Sequence, residues 1–143
     1  MTPAAMAAIH ANAMEVPAPW SEADFKDLLS VPGTFVVTAA PSVSLAGFSL
    51  GLVVSDEVEL LTLAVQKDFQ RRGIGQNLLH AFEAEGRRSG GEKAFLEVAA
   101  SNTAAREMYE KSGWTETGLR KAYYRGPDAR IDAILMSKRL ATA

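Results

Sequence analysis

Apolar positions along this chain change their period several times, and each change marks an element. Residues 3–14 are alanine-rich with Met6, Ile9 and Met14 apolar, which predicts a first helix ended by Pro17 and Pro19. Trp20-Ser21-Glu22-Ala23-Asp24-Phe25 carries a helix-start signal. Ser21 can cap the N–H of Asp24 while Asp24 reaches back, and Trp20 and Phe25 hold the two hydrophobic-staple positions. An aromatic beside two prolines can also wall a binding groove, so Trp20 is a candidate substrate contact as well as a staple. Leu28 and Leu29 close this second helix, and Pro32-Gly33 predicts a turn. Thr34 to Ala40 and Leu45 to Val54 are β-rich and flank Pro41-Ser42, the pattern of an antiparallel hairpin.

Ser55-Asp56 turns the chain into Glu57–Val65, a long apolar run that reads as a central strand. Gln76 to Arg88 reads as an amphipathic helix, with Ile74, Leu78, Leu79 and Phe82 at helical spacing and Glu83 and Arg87 spaced for an i,i+4 pair. Ser89-Gly90-Gly91 stops it. Lys93 to Ala99 is a short strand in which Glu97 is an acid among apolar neighbours. Strand, helix and strand predict a right-handed crossover between parallel strands. Ser101-Asn102 caps a helix over Thr103–Lys111, with Met108 and the ring of Tyr109 on one side, and Ser112-Gly113 ends it. Trp114 to Leu119 and Ile131 to Leu140 predict a final antiparallel pair, joined through Tyr123-Tyr124 and a Gly126-Pro127-Asp128 turn.

Composition narrows the function classes. The 143 residues suit one domain over 1–143, and 48% apolar content is enough for a proper core. The net charge of −2, from 15 basic and 17 acidic residues well mixed, argues against a nucleic-acid partner. The chain has no cysteine, which excludes disulfides, thiolate zinc sites and a covalent acyl-cysteine. His10 and His80 lack metal-type spacing and are expected as surface or edge residues, so no metal is expected. No apolar run reaches the roughly 18 residues of a membrane span. Met1 to Ile9 lacks a basic n-region, so no secretory signal is expected. A cytoplasmic monomer without membrane attachment is the expectation.

The stretch with the clearest chemistry is Gln70-Arg71-Arg72-Gly73-Ile74-Gly75, between a strand and a helix start. Backbone N–H groups at a helix N-terminus lack intrahelical partners, and the helix dipole adds positive charge there. Gly73 and Gly75 let a ligand approach the backbone, and Arg71 and Arg72 add formal charge. A diphosphate is the natural guest; a plain N-cap turn is the alternative. The P-loop needs Gly-Lys-Ser or Gly-Lys-Thr, which does not follow, and the dinucleotide fingerprint needs a third glycine where Leu78 stands.

Taken together, these residues resemble the GNAT family of acetyl-CoA-dependent N-acetyltransferases. The resemblance rests on Leu63-Ala64-Val65, Gln70-x-x-Gly73-x-Gly75, Leu96-Glu97-Val98, Ser101-Asn102 and Tyr109-Glu110-Lys111-Ser112-Gly113-Trp114, in the family's order and spacing over roughly residues 45–140. Pro19-Trp20-Ser21-Glu22, Tyr123-Tyr124 and Asp132-Ala133-Ile134-Leu135-Met136 are similar to the branch that acetylates the N-terminal alanine of a small-subunit ribosomal protein. The resemblance implies a GNAT-like α/β (α+β) fold, a mixed sheet of about six to seven strands with about four helices on both faces. It implies acetyl-CoA as the acetyl donor. Leu63, Ala64 and Val65 would pair their backbone with its pantetheine arm, Gln70 and Arg71 to Gln76 would hold its diphosphate, and Asn102 would contact it. Glu97 would be the general base and Tyr109 the general acid. Ala99 departs from members that carry arginine there, which bears on acceptor choice.

The chemistry is consistent on its own terms. An N-terminal amine has a pKa of about 8, so its neutral form at pH 7 costs about 1.4 kcal/mol, against about 4.6 kcal/mol for a lysine. An α-amine acceptor therefore needs only a modest base, which Glu97 can be, directly or through water, if its environment raises its pKa. Tyr109 can protonate the departing thiolate, and backbone N–H near Val65 can polarise the carbonyl. Glu59, Tyr123 and Tyr124 are candidate acceptor-site residues, or else ordinary strand residues. Other readings are acetylation of a lysine, polyamine or small metabolite, or a non-catalytic acetyl-CoA-binding module.

Overall fold

The computed structural model describes residues 1–38 and 46–140. Six strands form one mixed sheet: β1 (Thr34–Thr38), β2 (Gly47–Val54), β3 (Glu57–Val65), β4 (Lys93–Ala99), β5 (Thr115–Arg125) and β6 (Arg130–Arg139), in the order β1-β2-β3-β4-β6-β5. The helices are α1 (Pro3–Ala13), α2 (Glu22–Leu29), α3 (Ile74–Arg88) and α4 (Thr103–Lys111). The β1–β2 hairpin and the parallel β3–α3–β4 unit follow the apolar pattern. The expected connection through Pro41-Ser42 and the strand start at Leu45 lie outside the described residues.

Local chemistry sets the helix ends. Ser21 Oγ accepts from the Asp24 N–H at 3.1 Å and Asp24 Oδ2 accepts from the Ser21 N–H at 3.0 Å, the reciprocal cap expected for α2. The Trp20 and Phe25 rings meet at 5.6 Å as its staple. Asn102 Oδ1 caps α4 by accepting from the Ala105 N–H at 3.2 Å. Helices α1 and α2 cover one face of the sheet, where Met6, Ile9 and Phe25 pack on Phe48, Leu50 and Ala64. Helices α3 and α4 share the other, where Leu79, Phe82 and Tyr109 pack with Val58, Leu60, Leu96 and Val98. A side chain at Gly51 would run into the Phe35 and Phe82 rings, so glycine lets α3 lie close to β2.

Strand β3 does not keep one face throughout. Val58 and Leu60 pack under α3, whereas Thr62 and Ala64 face α1. A strict period of two would put all four together. The register shifts from Gly51↔Leu60 to Leu50↔Thr62, so Leu61 is an extra residue and the alternation inverts there. β3 also pairs with β4 only over Glu57↔Lys93, Val58↔Ala94 and Glu59↔Phe95. Beyond Glu59 the two strands part, and among the described residues Leu60–Val65 has no strand on that side.

Several expectations are corrected. The Glu83–Arg87 pair does not form: Glu83 is buried, accepting from Trp114 Nε1 at 3.1 Å and Lys138 Nζ at 2.7 Å. Phe82 and Trp114 draw that helix face inward, and Lys138 meets the charge. His10 is not a surface or edge residue but fully buried, because it lies on the same helix face as Met6 and Ile9. The fifth strand does not stop at Leu119: β5 runs through Tyr123-Tyr124 to Arg125. Its register with β6 jumps from Arg120↔Ala133 to Tyr124↔Ile131, and Asp132 Oδ1 holds this bulge by accepting from the Ala122 N–H at 2.7 Å. Among the described residues, no helix is long and apolar enough to cross a membrane, and no cluster of three or more His, Asp or Glu suits a metal ion.

Candidate active site

Because β3 and β4 part after Glu59, a cleft of about 780 Å³ opens between them. Leu60 to Leu63 and Leu96 to Ala99 form its floor. Asn102, the N-cap of α4, with Met108 and Tyr109 of that helix, closes one side, Trp20 and Asp24 another, and the β5 bulge brings in Tyr123 and Tyr124. Trp20, Glu59, Leu63, Glu97, Asn102, Tyr109, Tyr123 and Tyr124 thus share one cavity. Ala64, Val65 and Gln70 to Gln76 lie outside its lining. The two regions adjoin at Gly75, where a Cβ would stand 3.3 Å from Met108 Sδ and 3.9 Å from Leu63 Cδ2.

The start of α3 is built to receive an anion. Gly73 is the N-cap with φ +80°, in the left-handed region that favours glycine, and no side chain caps the helix. The first intrahelical bond runs from the Asn77 N–H to the Gly73 carbonyl at 3.1 Å. The N–H groups of Ile74, Gly75 and Gln76 therefore have no intrahelical acceptor. No acidic residue stands in the first turn. Arg71 adopts φ +64° and is exposed, while the Arg72 guanidinium lies 5.5 Å from the Phe69 ring centre. Gln70 Nε2 donates to the Val65 carbonyl at 2.9 Å, tying this turn to the end of β3.

These features fit a ligand with a diphosphate and an extended, amide-bearing arm, as acetyl-CoA has. Three free N–H groups and two guanidinium groups suit the diphosphate, and the unpartnered edge of β3 suits the arm. Ala64 offers only backbone to that edge, since its side chain packs with α1 and α2. Asn102 spends its carbonyl oxygen on the α4 cap, which leaves its amide N–H₂ for a ligand.

The other end of the cleft gathers titratable groups. Leu96 and Val98 are buried with α4, and period two turns Glu97 to the opposite face, where it is partly exposed. Its Oε1 lies 3.1 Å from Arg120 Nε. Arg120 also lies over Tyr123 at 5.4 Å, and the Tyr123 and Tyr124 rings meet edge to face at 5.2 Å. Burial, and secondly the charge of Glu97, push the Glu59 carboxyl above its ordinary range. Burial, followed by Glu97 and Tyr123, pushes Tyr124 up to about 12 despite the opposing Arg120. Burial, with Tyr124 second, holds the Tyr109 hydroxyl well above the usual phenol range. Tyr109 therefore keeps its proton at any ordinary pH.

Sequence reasoning missed two members of this neighbourhood. Arg120 reaches Glu97 across β6 only because of how β5 is paired, and no short-range pattern marks it. His10 carried a readable signal, the helix face it shares with Met6 and Ile9.

The sequence profile described as Acetyltransferase (GNAT) family matches residues 5–114. The [Ribosomal protein bS18]-alanine N-acetyltransferase of Escherichia coli K12 is 42% identical over 93 residues, 65% of this chain and 63% of that protein. The chain thus spans under two-thirds of the length of that relative. N-alpha-acetyltransferase RimI of Mycobacterium tuberculosis is 36% identical over 117 residues, 78% of this chain and 72% of the relative. The crystal structure of the ribosomal-protein-S18-alanine N-acetyltransferase from Escherichia coli superposes with a TM-score of 0.87 at 34% identity, covering 97% of this chain and 88% of that one.

Proposed function

The chain belongs to the acetyltransferase (GNAT) family, and we propose that it transfers acetyl from acetyl-CoA to the N-terminal α-amine of a small-subunit ribosomal protein, with alanine as the acceptor residue. The observation that carries this reading is the parting of β3 and β4 after Glu59. It sets Glu97 and Tyr109 in one cleft beside a helix N-terminus with free N–H groups. The names of the relatives support the choice of acceptor.

Acetyl-CoA supplies a thioester carbon open to attack by an amine. Ile74, Gly75, Gln76, Arg71 and Arg72 bind the diphosphate, Gln70 holds that turn to β3, and Leu63, Ala64 and Val65 align the arm. Trp20, Glu59, Tyr123 and Tyr124 surround the acceptor. Glu97 takes the proton that leaves the nitrogen as the C–N bond forms, and Arg120 holds its carboxylate in place. Tyr109, protonated because it is buried, delivers a proton to the sulfur as the C–S bond breaks. The nitrogen loses one proton and the sulfur gains one. With ribosomal proteins as acceptors, the enzyme works in the cytoplasm, and this domain acts as a monomer.

Free-thiol release from acetyl-CoA tests this reading, using one peptide with a free N-terminal alanine and one with a blocked N-terminus and a free lysine. With no cysteine in the chain, the protein adds no thiol of its own. Release with the α-amine peptide alone is expected. Release with lysine alone contradicts the acceptor, and binding without release from any amine points to a non-catalytic module.

A further inference from the structure

His10 stands in a cluster that the proposed chemistry does not use. It is 0% exposed on α1. The backbone N–H of Trp20 can only donate, so its 2.9 Å contact makes His10 Nδ1 the acceptor and leaves the ring proton on Nε2. Nε2–H then donates to Thr62 Oγ1 at 3.0 Å. The imidazole also stacks on the Trp20 indole, with centroids 5.0 Å apart and planes 30° apart, and meets Phe25 edge-on at 5.3 Å. Thr62 and Trp20 both line the cleft, one from β3 and the other from the segment before α2. One buried ring therefore joins two walls of the cavity. An apolar side chain would fill the space without two buried polar atoms to satisfy. Both of those atoms are bonded, and both bonds end on cleft residues.

We infer that His10 is a positioning residue that fixes Trp20 as the wall of the acceptor site and so sets the KM for the acceptor amine. This rests on the acetyl-transfer reading above. Neither hydrogen bond ends on Gly73 to Gln76, and glutamine at position 10 can keep the Thr62 bond beside Leu63, so losing the Trp20 bond alone spares the acetyl-CoA side.

Two near-isosteric substitutions separate the bonds. Asparagine places a polar atom where Nδ1 was and can still accept from Trp20; glutamine places one where Nε2 was and keeps only Thr62. His10→Gln is expected to raise the acceptor-peptide KM about tenfold and leave the acetyl-CoA KM within about twofold, while His10→Asn keeps the acceptor KM within about threefold of wild type. Equal behaviour of the two variants, or an acetyl-CoA KM that rises in step, overturns the assignment. A second readout does not depend on turnover. The chain has two tryptophans, of which Trp114 is 2% exposed, so acrylamide quenching reports mainly Trp20. Quenching should increase in His10→Gln and not in His10→Asn; no increase in His10→Gln overturns the assignment. A wild-type protein that turns over no α-amine peptide instead overturns the reading beneath it, and quenching still decides the role of His10.

Discussion

Nε of Arg120 lies 3.1 Å from Oε1 of Glu97, a contact that links β5 to β4 over the intervening β6. Both side chains are partly exposed, so the pair adds only about 0–1 kcal/mol to stability. Its effect is on orientation. Arg120→Ala should leave the melting temperature nearly unchanged and lower kcat about tenfold, whereas Glu97→Gln should lower it roughly 100-fold or more. Steady-state kinetics beside thermal melts check this. An Arg120→Ala enzyme that unfolds early, or a Glu97→Gln enzyme at full speed, contradicts it.

Tyr109 is buried, and that burial holds its hydroxyl proton beyond the usual phenol range. The sign is clear: a raised pKa keeps the acid form present as pH rises. The kcat profile should therefore show no falling limb from Tyr109 between about pH 7 and 10. Tyr109→Phe should lose roughly 100-fold in kcat with acetyl-CoA affinity within about twofold of wild type. Retained turnover in the phenylalanine variant removes Tyr109 from the mechanism.

Arg71 is a non-glycine residue at φ +64° beside the free end of α3. That conformation stores about 1 kcal/mol of strain. Arg71→Gly should release it, stabilising the protein by up to about 1 kcal/mol, and should raise the acetyl-CoA KM severalfold by removing a charge from the diphosphate cradle. Urea unfolding and kinetics in parallel check both halves. A gain in stability with unchanged acetyl-CoA affinity would clear Arg71 of any part in binding.

Burial lowers His10 from the ordinary 6.5 to about 4. As pH falls, the unfolded chain takes up this proton before the folded one, so the contribution is complete above about 6.5 and drains away down to about 4. Between pH 7 and pH 5 the loss is about 2 kcal/mol. Urea unfolding at the two pH values should show a smaller loss in His10→Gln than in wild type. Equal losses would contradict a buried, neutral His10.

Much of the fold was legible because its signals are local. The reciprocal cap of Ser21 and Asp24, the Trp20–Phe25 staple, the Asn102 cap and the glycine-started α3 all lie within a few residues of one another. The bulge at Leu61 was hidden because Leu60 and Leu61 are both leucine, so inverted alternation looks like an unbroken apolar run. Spacing alone pairs Glu83 with Arg87, its nearest helical cation, because Trp114 and Lys138 are distant in sequence. The gathering of Glu59, Glu97 and Tyr124 depends on strand order and on the β5 bulge, neither of which a one-dimensional pattern encodes. Residue types at the site could be read from the sequence; their mutual placement needed the sheet.

The most direct measurement of the central claim offers both kinds of amine in one molecule. A peptide with N-terminal alanine and an internal lysine is incubated with the protein and acetyl-CoA, and fragment-ion mass spectrometry then locates the acetyl group. The account predicts acetyl on the α-nitrogen of alanine, appearing roughly 100-fold more slowly with Glu97→Gln. Acetyl on the lysine ε-nitrogen, or an unmodified peptide, would contradict it.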